Sequence, residues 1–404
     1  MINKNQQQII AATAPILKEH GLSLTSHFYK RMFQHHPELK NMFNMGNQKN
    51  GKQQQALAMA LLAYAEHISN PEVLLPDLNR IGHKHVSLEI RPEHYPIVGN
   101  HLLAAIKEVL GDAATKDILN AWEAAYEQLA ELMIGLEKDM YRKLTSQAGG
   151  WTGWRPFTVV KKEKESSEIS SFYLYPADKG KVIPHQPGQF ISLKLFLPDL
   201  GINQARQYSI SSSPNQDFYR ISVKREYGAH PNTNGMISNH LHDQVQMGDV
   251  LELTAPAGNF TLDEKANSPL VLISGGVGLT PLISMLQSAI EKNHDTSITW
   301  IHGCRNQDVH AFGEQVRQLE ADKNNLEQYV FYDRITENDK RQGILEGPIA
   351  LNKIPAAKIN PDSQYYICGP AGFIEKQYQD LLAFGVQQHV IFFEEFGPQQ
   401  LALN

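Results

Sequence analysis

The spacing of apolar residues along the chain changes twice. Up to about residue 145, apolar positions recur every three or four residues over long segments, a period that predicts amphipathic helices. From residue 155 to about 262, short runs rich in Val, Ile, Tyr and Phe alternate with polar residues and predict antiparallel strands. Beyond that region, apolar strands alternate with helical segments, which is typical of a parallel sheet. The pattern therefore predicts a multidomain chain: an all-α region, a small antiparallel β-barrel and an α/β domain.

Particular stretches carry these predictions. The helical segments are "QQQIIAATAPILKEHG", "SLTSHFYKRMFQHH", "KQQQALAMALLAYAEHI", "YPIVGNHLLAAIKEVLG" and "KDILNAWEAAYEQLAELMIGLEKDMYRKL". The barrel strands are "FTVVKKEK", "SSFYLYP", "QFISLKLFL", "QYSISSS", "YRISVKRE" and "VLELTAP". The strands of the third region are "LVLIS", "SITWIHG", "EQYVFYD" and "QYYICGP". We expect three domains, at 1–145, 155–265 and 266–404. Because "TSQAGGWTGWRPF" clusters Gly, Trp and Pro, we expect a linker over 146–154 between the first two.

Composition narrows the classes of protein to consider. The 404 residues are 42% hydrophobic and 20% charged with a formal net charge of −6, which is ordinary for a globular protein and disfavours a nucleic-acid partner. No apolar run reaches the roughly eighteen residues of a membrane helix, and "MINKNQQQII" lacks the apolar core of a secretion signal. Cys304 and Cys368 are the two cysteines, without metal-site spacing. We expect a cytoplasmic protein.

The stretch "RIGHKHVSLEIRPEHY" contains three histidines, of which His85 is the candidate for chemistry. His85 falls on one helical stripe with Leu78, Ile81 and Leu88, whereas His83 lies off it. An imidazole on an apolar face must be hydrogen-bonded, bound to a metal, or held neutral, so the residues alone leave a core histidine and a metal ligand both open. Pro92 suits the first turn of a following helix.

A glycine-rich turn stands out in the third region. In "LVLISGGVGLTPLISML", a buried strand leads through Gly275, Gly276 and Gly278 to a helix that opens at Thr280 and Pro281. Such a turn lets backbone approach a pyrophosphate at a helix N-terminus, although many such turns are structural. Since Pro281 replaces the last glycine of the dinucleotide fingerprint, a standard Rossmann dehydrogenase is disfavoured. A second turn, "YYICGPAGFI", places Cys368, Gly369 and Pro370 at the carboxyl edge of the same sheet.

The barrel region contains a further candidate binding motif. In "RQYSISSSP", Arg206 can bind a phosphate, Tyr208 can stack on a flat ring, and Ser209 can hydrogen-bond to it. Downstream, Gly235 and Ser238 lie beside a predicted helix start that suits phosphate. Each motif alone is compatible with an ordinary turn.

Taken in order, these motifs resemble the ferredoxin-reductase-like flavoprotein module over about residues 151–404. The resemblance implies an FAD-binding barrel and an NAD(P)-binding α/β domain. It assigns to FAD the residues Phe190, Arg206, Gln207, Tyr208, Ser209, Gly235, Ser238 and Phe396. It assigns to NAD(P) the residues Gly275, Gly276, Val277, Gly278, Leu279, Thr280, Pro281, Cys368, Gly369 and Pro370.

The helical half resembles a globin, and the chain as a whole is similar to bacterial flavohaemoglobins, a family of nitric oxide dioxygenases. The resemblance implies haem b with His85 as the proximal iron ligand. It assigns a catalytic set, Tyr29, Gln53, Tyr95 and Glu137; pocket residues Phe28, Phe43 and Leu57; and redox-tuning residues Lys84 and Glu394. The implied reaction runs from NAD(P)H to FAD to haem, where O2 converts NO to nitrate.

The residues themselves leave several assignments with two interpretations. Tyr29 shares a helical face with apolar neighbours. Its hydroxyl either donates a hydrogen bond to a bound ligand or belongs to a core tyrosine that is hydrogen-bonded to a carbonyl. Gln53 at a helix start and Glu137, with charged neighbours, are equally compatible with solvated positions, as are Lys84 and Glu394. Arg305 in "HGCRNQ" either meets a 2′-phosphate or stays in water, so NADH and NADPH both remain open.

The rival functions are an O2- or lipid-binding haem protein whose reductase keeps the iron ferrous, and a peroxide or ferric reductase in which the globin is secondary. The expected partners are O2 and NO as substrates and a lipid in the distal haem pocket. We expect a monomer without an obligate protein partner.

Overall fold

The computed structural model describes residues 2–228, 234–265, 268–292 and 296–397. The chain divides into two compact units. The first comprises Met1–Trp154, Ser192–Arg206 and Leu253–Ala257, and the second comprises Arg155–Ile191, Gln207–Glu252 and Gly258–Asn404. The predicted start of the third domain, at residue 266, and its end, at 404, lie outside the described residues. The three domain limits and the linker therefore stay predictions.

The N-terminal part of the chain is helical, as its periodicity predicts. Its helices are α1 (Lys4–Ala12), α2 (Ala14–His35), α3 (Met45–Lys49), α4 (Lys52–Glu66), α5 (Leu75–Ser87), α6 (His94–Leu110) and α7 (Lys116–Thr145). Helices α2, α4, α6 and α7 contribute to one apolar core that includes Phe28, Tyr64, Leu102 and Trp122. This core positions the side chains discussed below.

Two helix boundaries differ from the predicted ones. The break between the first helices falls at Thr13, whose hydroxyl donates to the carbonyl of Ile10 at 2.6 Å, and α2 then continues through Gly21. Gly21 does not end a helix but lies inside α2 on the side that faces α4, where an added Cβ would make an ordinary contact of 3.4 Å with the Cβ of Ala58. Pro92 lies in the turn before α6, which begins at His94.

The barrel region forms a six-stranded sheet in the order β4-β3-β6-β1-β2-β5. Its strands are β1 (Arg155–Lys164), β2 (Ile169–Pro176), β3 (Phe190–Leu197), β4 (Ile202–Ser209), β5 (Tyr219–Lys224) and β6 (Val250–Leu253), with α8 (Met236–Asp243) between β5 and β6. An isolated antiparallel bridge joins Ile210, just after β4, to Ile221 of β5. Because these positions adjoin the two ends of the strand order, the bridge brings the sheet back on itself, as a barrel requires.

The C-terminal region forms a parallel sheet in the order β10-β9-β8-β7-β11-β12. Its elements are β7 (Leu270–Gly275), α9 (Leu279–Glu291), β8 (Ile298–Cys304), α10 (Gly313–Asp322), β9 (Leu326–Tyr332), α11 (Glu337–Arg341), β10 (Leu345–Glu346), β11 (Gln364–Gly369), α12 (Ala371–Ala383) and β12 (Ile391–Glu395). The order reverses between β7 and β11, which is where open α/β sheets bind ligands. Across the described residues, no helix joins enough length to enough apolar character to cross a membrane.

Candidate active site

His85, Tyr95 and Glu137 come together from three helices around one buried carboxylate. The Nδ1 atom of His85 lies 2.7 Å from Oε1 of Glu137, and the Tyr95 hydroxyl donates to the same oxygen at 2.6 Å. Glu137 is only 2% exposed, so it is not the solvated charge that its neighbours allow. A carboxylate accepts hydrogen bonds, so His85 carries its proton on Nδ1 and keeps the Nε2 lone pair for a metal.

The Tyr95 hydroxyl is held protonated in this group. Burial, and then the hydrogen bond to Glu137, raises the pKa of Tyr95 above its ordinary value. Tyr126 supports the arrangement by donating to the Tyr95 carbonyl at 2.6 Å. A Cβ on Gly99 would lie 2.4 Å from the Tyr126 ring, so this glycine is required for the contact. The motifs in the sequence did not reveal Tyr126, although Tyr126 shares the helical stripe that reaches Glu137 through Ala130 and Met133.

Tyr29, another residue of the predicted catalytic set, lies in an aromatic pocket. Its ring centroid is 4.8 Å from that of Phe28, 5.9 Å from Phe33 and 5.7 Å from Phe43. Burial raises the pKa of Tyr29, and a side-chain hydrogen bond with Gln53 partly opposes this rise. Leu57 packs against the same apolar core. The structure thus brings Phe28, Phe43 and Gln53 to Tyr29, places Leu57 in the same apolar core, and adds Phe33, which its spacing of four residues from Tyr29 on α2 could have revealed.

These two groups fit a haem. One imidazole has its Nδ1 committed to a buried carboxylate, which leaves Nε2 as the ligand atom. A tyrosine and a glutamine supply polar atoms within aromatic and aliphatic surroundings. His83, off the helical stripe, makes no part of this donor set, and His94 accepts the Arg91 N–H at 2.9 Å through its Nδ1.

The predicted nucleotide turns meet at the carboxyl edge of the parallel sheet. A Cβ on Gly278 would lie 2.2 Å from the carbonyl oxygen of Cys368, so the turn before α9 rests directly on the end of β11. Gly275 and Gly369 lie under the ring of Phe373, which the sequence analysis missed. Gly276 has φ +54° and faces open space. The N-terminus of α9 and these glycines leave room for backbone to contact a pyrophosphate.

The remaining NAD(P) candidates support this turn. Val277 accepts the Thr280 hydroxyl at 3.1 Å, and the side chains of Leu279 and Pro281 are buried in the first turn of α9. Pro370 precedes α12 in an extended conformation, as a residue before a helix does.

The flavin candidates lie on separate elements. Arg206, Gln207, Tyr208 and Ser209 end β4, where Gln207 is exposed and Ser209 is buried. Phe190 packs on Gly258, whose φ of +111° and close approach to the ring both require glycine.

A second pair adjoins α8, and an aromatic side chain follows β12. Gly235 precedes α8, and the Ser238 hydroxyl lies 3.1 Å from the Gly235 carbonyl while accepting the Glu226 N–H at 3.2 Å. Phe396 is 47% exposed, so part of its ring is available to a planar ligand.

Three charged residues were predicted to contact a nucleotide or to tune electron transfer, namely Arg305, Glu394 and Lys84. Arg305, directly after β8, forms an ion pair with Glu168. Glu394 on β12 is the register partner of Cys368 on β11, which places it at the edge where the nucleotide turns meet. Lys84 lies on α5, one position before His85.

Comparison with known proteins finds a family model for each of the three regions of the chain, the helical, the barrel and the α/β region. The globin family model matches residues 26–133, the oxidoreductase FAD-binding domain matches 156–262, and the oxidoreductase NAD-binding domain matches 272–379. The flavohemoprotein of Bordetella parapertussis is 49% identical, and that of Rhizobium meliloti 48% identical, each over the full length of both chains.

Solved structures give the same result. A flavohemoglobin from Malassezia yamatoensis with bound FAD and heme superposes with a TM-score of 0.86 at 27% identity, over 98% of this chain and 100% of that one. The FAD/NAD-binding domain of a nitric oxide dioxygenase from Vibrio cholerae covers 60% of this chain and 99% of its own at 37% identity, with a TM-score of 0.56. The full-length identity, the three matching domain models and the His85 group lead to one conclusion: this chain belongs to the flavohemoprotein family.

Proposed function

We propose that the protein is an NAD(P)H-dependent nitric oxide dioxygenase that uses haem b and FAD. The observation that carries this function is the buried Glu137 carboxylate, which binds both Nδ1 of His85 and the hydroxyl of Tyr95. When bound, NAD(P)H would supply hydride transfer, FAD would supply single-electron transfer with release of the proton, and haem b would supply dioxygen activation.

The protein's own groups prepare the haem pocket for this reaction. His85 would hold the haem iron through Nε2, and the charge of Glu137 would make its imidazole a stronger donor of electron density. The Tyr95 hydroxyl donates a hydrogen bond to Glu137 and fixes the carboxylate in place. The Tyr29 hydroxyl remains protonated because burial raises its pKa, so it is a hydrogen-bond donor for dioxygen at all working pH values. The surrounding aromatic rings exclude water.

The reductase groups position the two nucleotides. The glycine turn at Gly275–Gly278 and the N-terminus of α9 hold the pyrophosphate of NAD(P)H. Arg206, Tyr208 and Ser209 on β4 bind the flavin, with Gly235 and Ser238 at its phosphates and Phe396 at its ring. Lys84 and Glu394 tune electron transfer. Arg305 forms an exposed ion pair with Glu168, and both NADH and NADPH remain candidate substrates.

The test compares NO removal by the wild type, His85→Ala and His83→Ala. His83 lies on the same helix but off the His85 stripe, so its variant controls for loss of a histidine from α5. The wild type and His83→Ala should show a haem absorption band and form nitrate in step with NO loss. His85→Ala should lose both, while NADH-dependent reduction of an artificial dye persists. If His85→Ala still removes NO, the dioxygenase function is wrong.

The same assay separates the rival functions. An O2- or lipid-binding haem protein would not consume NADH in proportion to NO. A peroxide or ferric reductase would keep its physiological turnover in His85→Ala, because the reductase half is intact.

We further infer the domain limits 1–145, 155–265 and 266–404, which are supported by matching models that each fall inside one of them. The free cysteines Cys304 and Cys368 support a reducing cytoplasm. The apolar surroundings of Tyr29 support a lipid in the distal pocket, and the net charge of −6 disfavours a nucleic-acid partner. A monomer is our expectation, and sedimentation equilibrium tests it.

A further inference from the structure

Glu89 has a backbone conformation that ordinarily belongs to glycine. Its φ is +61°, in the left-handed region, and it lies two residues beyond the end of α5. The Ile90 N–H donates to the carbonyl of His85 at 3.0 Å, which is the bond that closes a helix with a left-handed residue at its end. A glutamate at such a position costs free energy that a glycine would not, so its side chain is expected to have a use.

The Glu89 side chain lies within a group of contacts that fixes this turn. Nη2 of Arg91 donates to Oε1 of Glu89 at 3.1 Å, and the Arg91 guanidinium lies 4.2 Å above the centre of the Tyr141 ring. The Tyr141 hydroxyl donates to the carbonyl of Ile90 at 2.8 Å. Since Tyr141 lies one turn after Glu137 on α7, the same helix holds both the His85 imidazole and the turn that follows His85.

The carboxylate of Glu89 also contacts the segment that follows α7. Gly153, with φ +74°, packs so closely on it that a Cβ on Gly153 would lie 2.8 Å from Oε1 of Glu89. Residue 153 belongs to the stretch between α7 and β1. A side chain added at Gly153 would therefore meet the Glu89 carboxylate, and Glu89 adjoins Ile90, whose N–H binds the His85 carbonyl at the helix end that bears the proposed iron ligand.

We propose that Glu89 is a positioning residue that couples the 146–154 segment to the orientation of His85. Its carboxylate, held between Arg91 and Gly153, sets the position of the backbone turn whose N–H group binds the His85 carbonyl. This inference rests on the proposed role of His85 as haem ligand. It goes beyond that role because it makes the position of the segment after α7 a determinant of the iron–imidazole bond.

The experiment uses the full-length holoprotein and two readouts that do not depend on turnover. These are the iron–histidine stretching band of the ferrous protein in resonance Raman spectra, and the rate of haem transfer to an apomyoglobin acceptor. The variants are Glu89→Gly, Glu89→Gln and Gly153→Ala. Gly111→Ala is the matched control, because Gly111 also has positive φ, at +54°, but an added Cβ there would meet nothing within 4 Å.

Glu89→Gly should shift the band and speed haem transfer about tenfold, the low end for loss of an outer partner of a metal ligand. This is expected even though glycine relieves the strained backbone. Glu89→Gln keeps an acceptor oxygen for Arg91 and should stay near the wild type. Gly153→Ala should shift the band in the wild-type background. It should add no further shift in the Glu89→Gly background, because the two changes act through one contact.

A simple helix-ending role predicts the opposite pattern. In that case Glu89→Gly would be more stable than the wild type, with an unchanged band and unchanged haem transfer, and the proposal would be overturned. A band shift in Gly111→Ala equal to that in Gly153→Ala would overturn it too. Failure of the haem-ligand role itself is distinguishable, because His85→Ala would then retain the band.

Discussion

Glu137 shows at the residue scale how one buried charge organises a site. Its carboxylate receives two hydrogen bonds on the same oxygen, from His85 and Tyr95. A buried carboxylate without such donors would be strongly disfavoured, so each partner stabilises the other two. Loss of the charge should therefore change the electronic character of His85 as well as local stability.

Glu137→Gln keeps the shape of the side chain but removes its charge. The imidazole of His85 becomes a weaker electron donor, so the reduction potential of the haem should rise and NO turnover should fall by about 10- to 100-fold. Spectroelectrochemical titration measures the potential, and Glu131→Gln, an exposed position on the same helix, is the control. An unchanged potential in Glu137→Gln would show that the carboxylate does not act on the iron.

The sequence predicted these residues only in part. The helical stripe placed His85 on an apolar face, and family resemblance supplied Tyr95 and Glu137. Periodicity could not decide between a buried and a solvated Glu137, because Lys138 and Asp139 beside it are exposed. Burial of one carboxylate depends on partners 42 and 52 residues away in sequence, which only the tertiary structure brings close.

At the element scale, the predicted nucleotide-binding residues of the reductase part lie at the ends of strands. Most strands follow the predicted segments, because alternating or continuous apolar runs are strong local signals. The sequence analysis missed β10, which has two residues, and β12, whose strand character depends on its pairing with β11. The edge that holds Gly278, Cys368 and Glu394 is thus assembled by pairing and not by local propensity.

Gly278→Ala tests the close approach of the two nucleotide turns. An added Cβ would meet backbone atoms of Cys368 at 2.2 Å, and backbone cannot yield as a flexible side chain can. We expect a loss of roughly 3 kcal/mol or more in the stability of the second unit and a raised KM for NADH.

The control for Gly278→Ala is Gly372→Ala, at a helical position on α12 where a Cβ meets nothing within 4 Å. That variant should be neutral or stabilised by up to about 1 kcal/mol. Urea unfolding followed by flavin fluorescence measures both variants. Equal stability of the two would contradict the tight packing of the turn on β11.

At the scale of the whole molecule, the described part of the second unit includes two buried histidines, His185 and His302, and a half-buried one, His310, that the proposed mechanism does not use. Burial lowers the pKa of His185 to about 3 and of His310 to about 4, and lowers that of His302 well below its usual value. His302 and His310 stack with ring centroids 4.6 Å apart. Within the unit each is favoured in its neutral form, and unfolding releases it to titrate near its ordinary pKa.

The second unit should therefore lose stability in acid. The folded pKa values lie below the unfolded ones, so this stability is fully present above about pH 6.5 and is lost as the pH falls toward 4. In that window each histidine adds a slope of about 1.4 kcal/mol per pH unit. His310→Gln should make the slope of urea stability against pH shallower, whereas His20→Gln, an exposed histidine of the first unit, should leave it unchanged. An identical slope in His310→Gln would contradict the assignment.

Fold class was the level best predicted from sequence. The change of hydrophobic period marks the helical, barrel and α/β regions, and each family model lies within one of them. The pattern could not predict the grouping into two compact units, because that grouping depends on long-range contacts of segments such as 192–206.

The order of strands in the parallel sheet also bears on how the chain is made. Strand β7 lies between β8 and β11 in the sheet, and all of its residues are buried. During synthesis β8, β9 and β10 emerge before β11, so one side of β7 has no partner until residues 364–369 have been made. An apolar strand with an open edge is a template for pairing with other chains. The open edge of β7 is therefore available for pairing with other chains until β11 has formed beside it, and folding of the last strands ends that exposure.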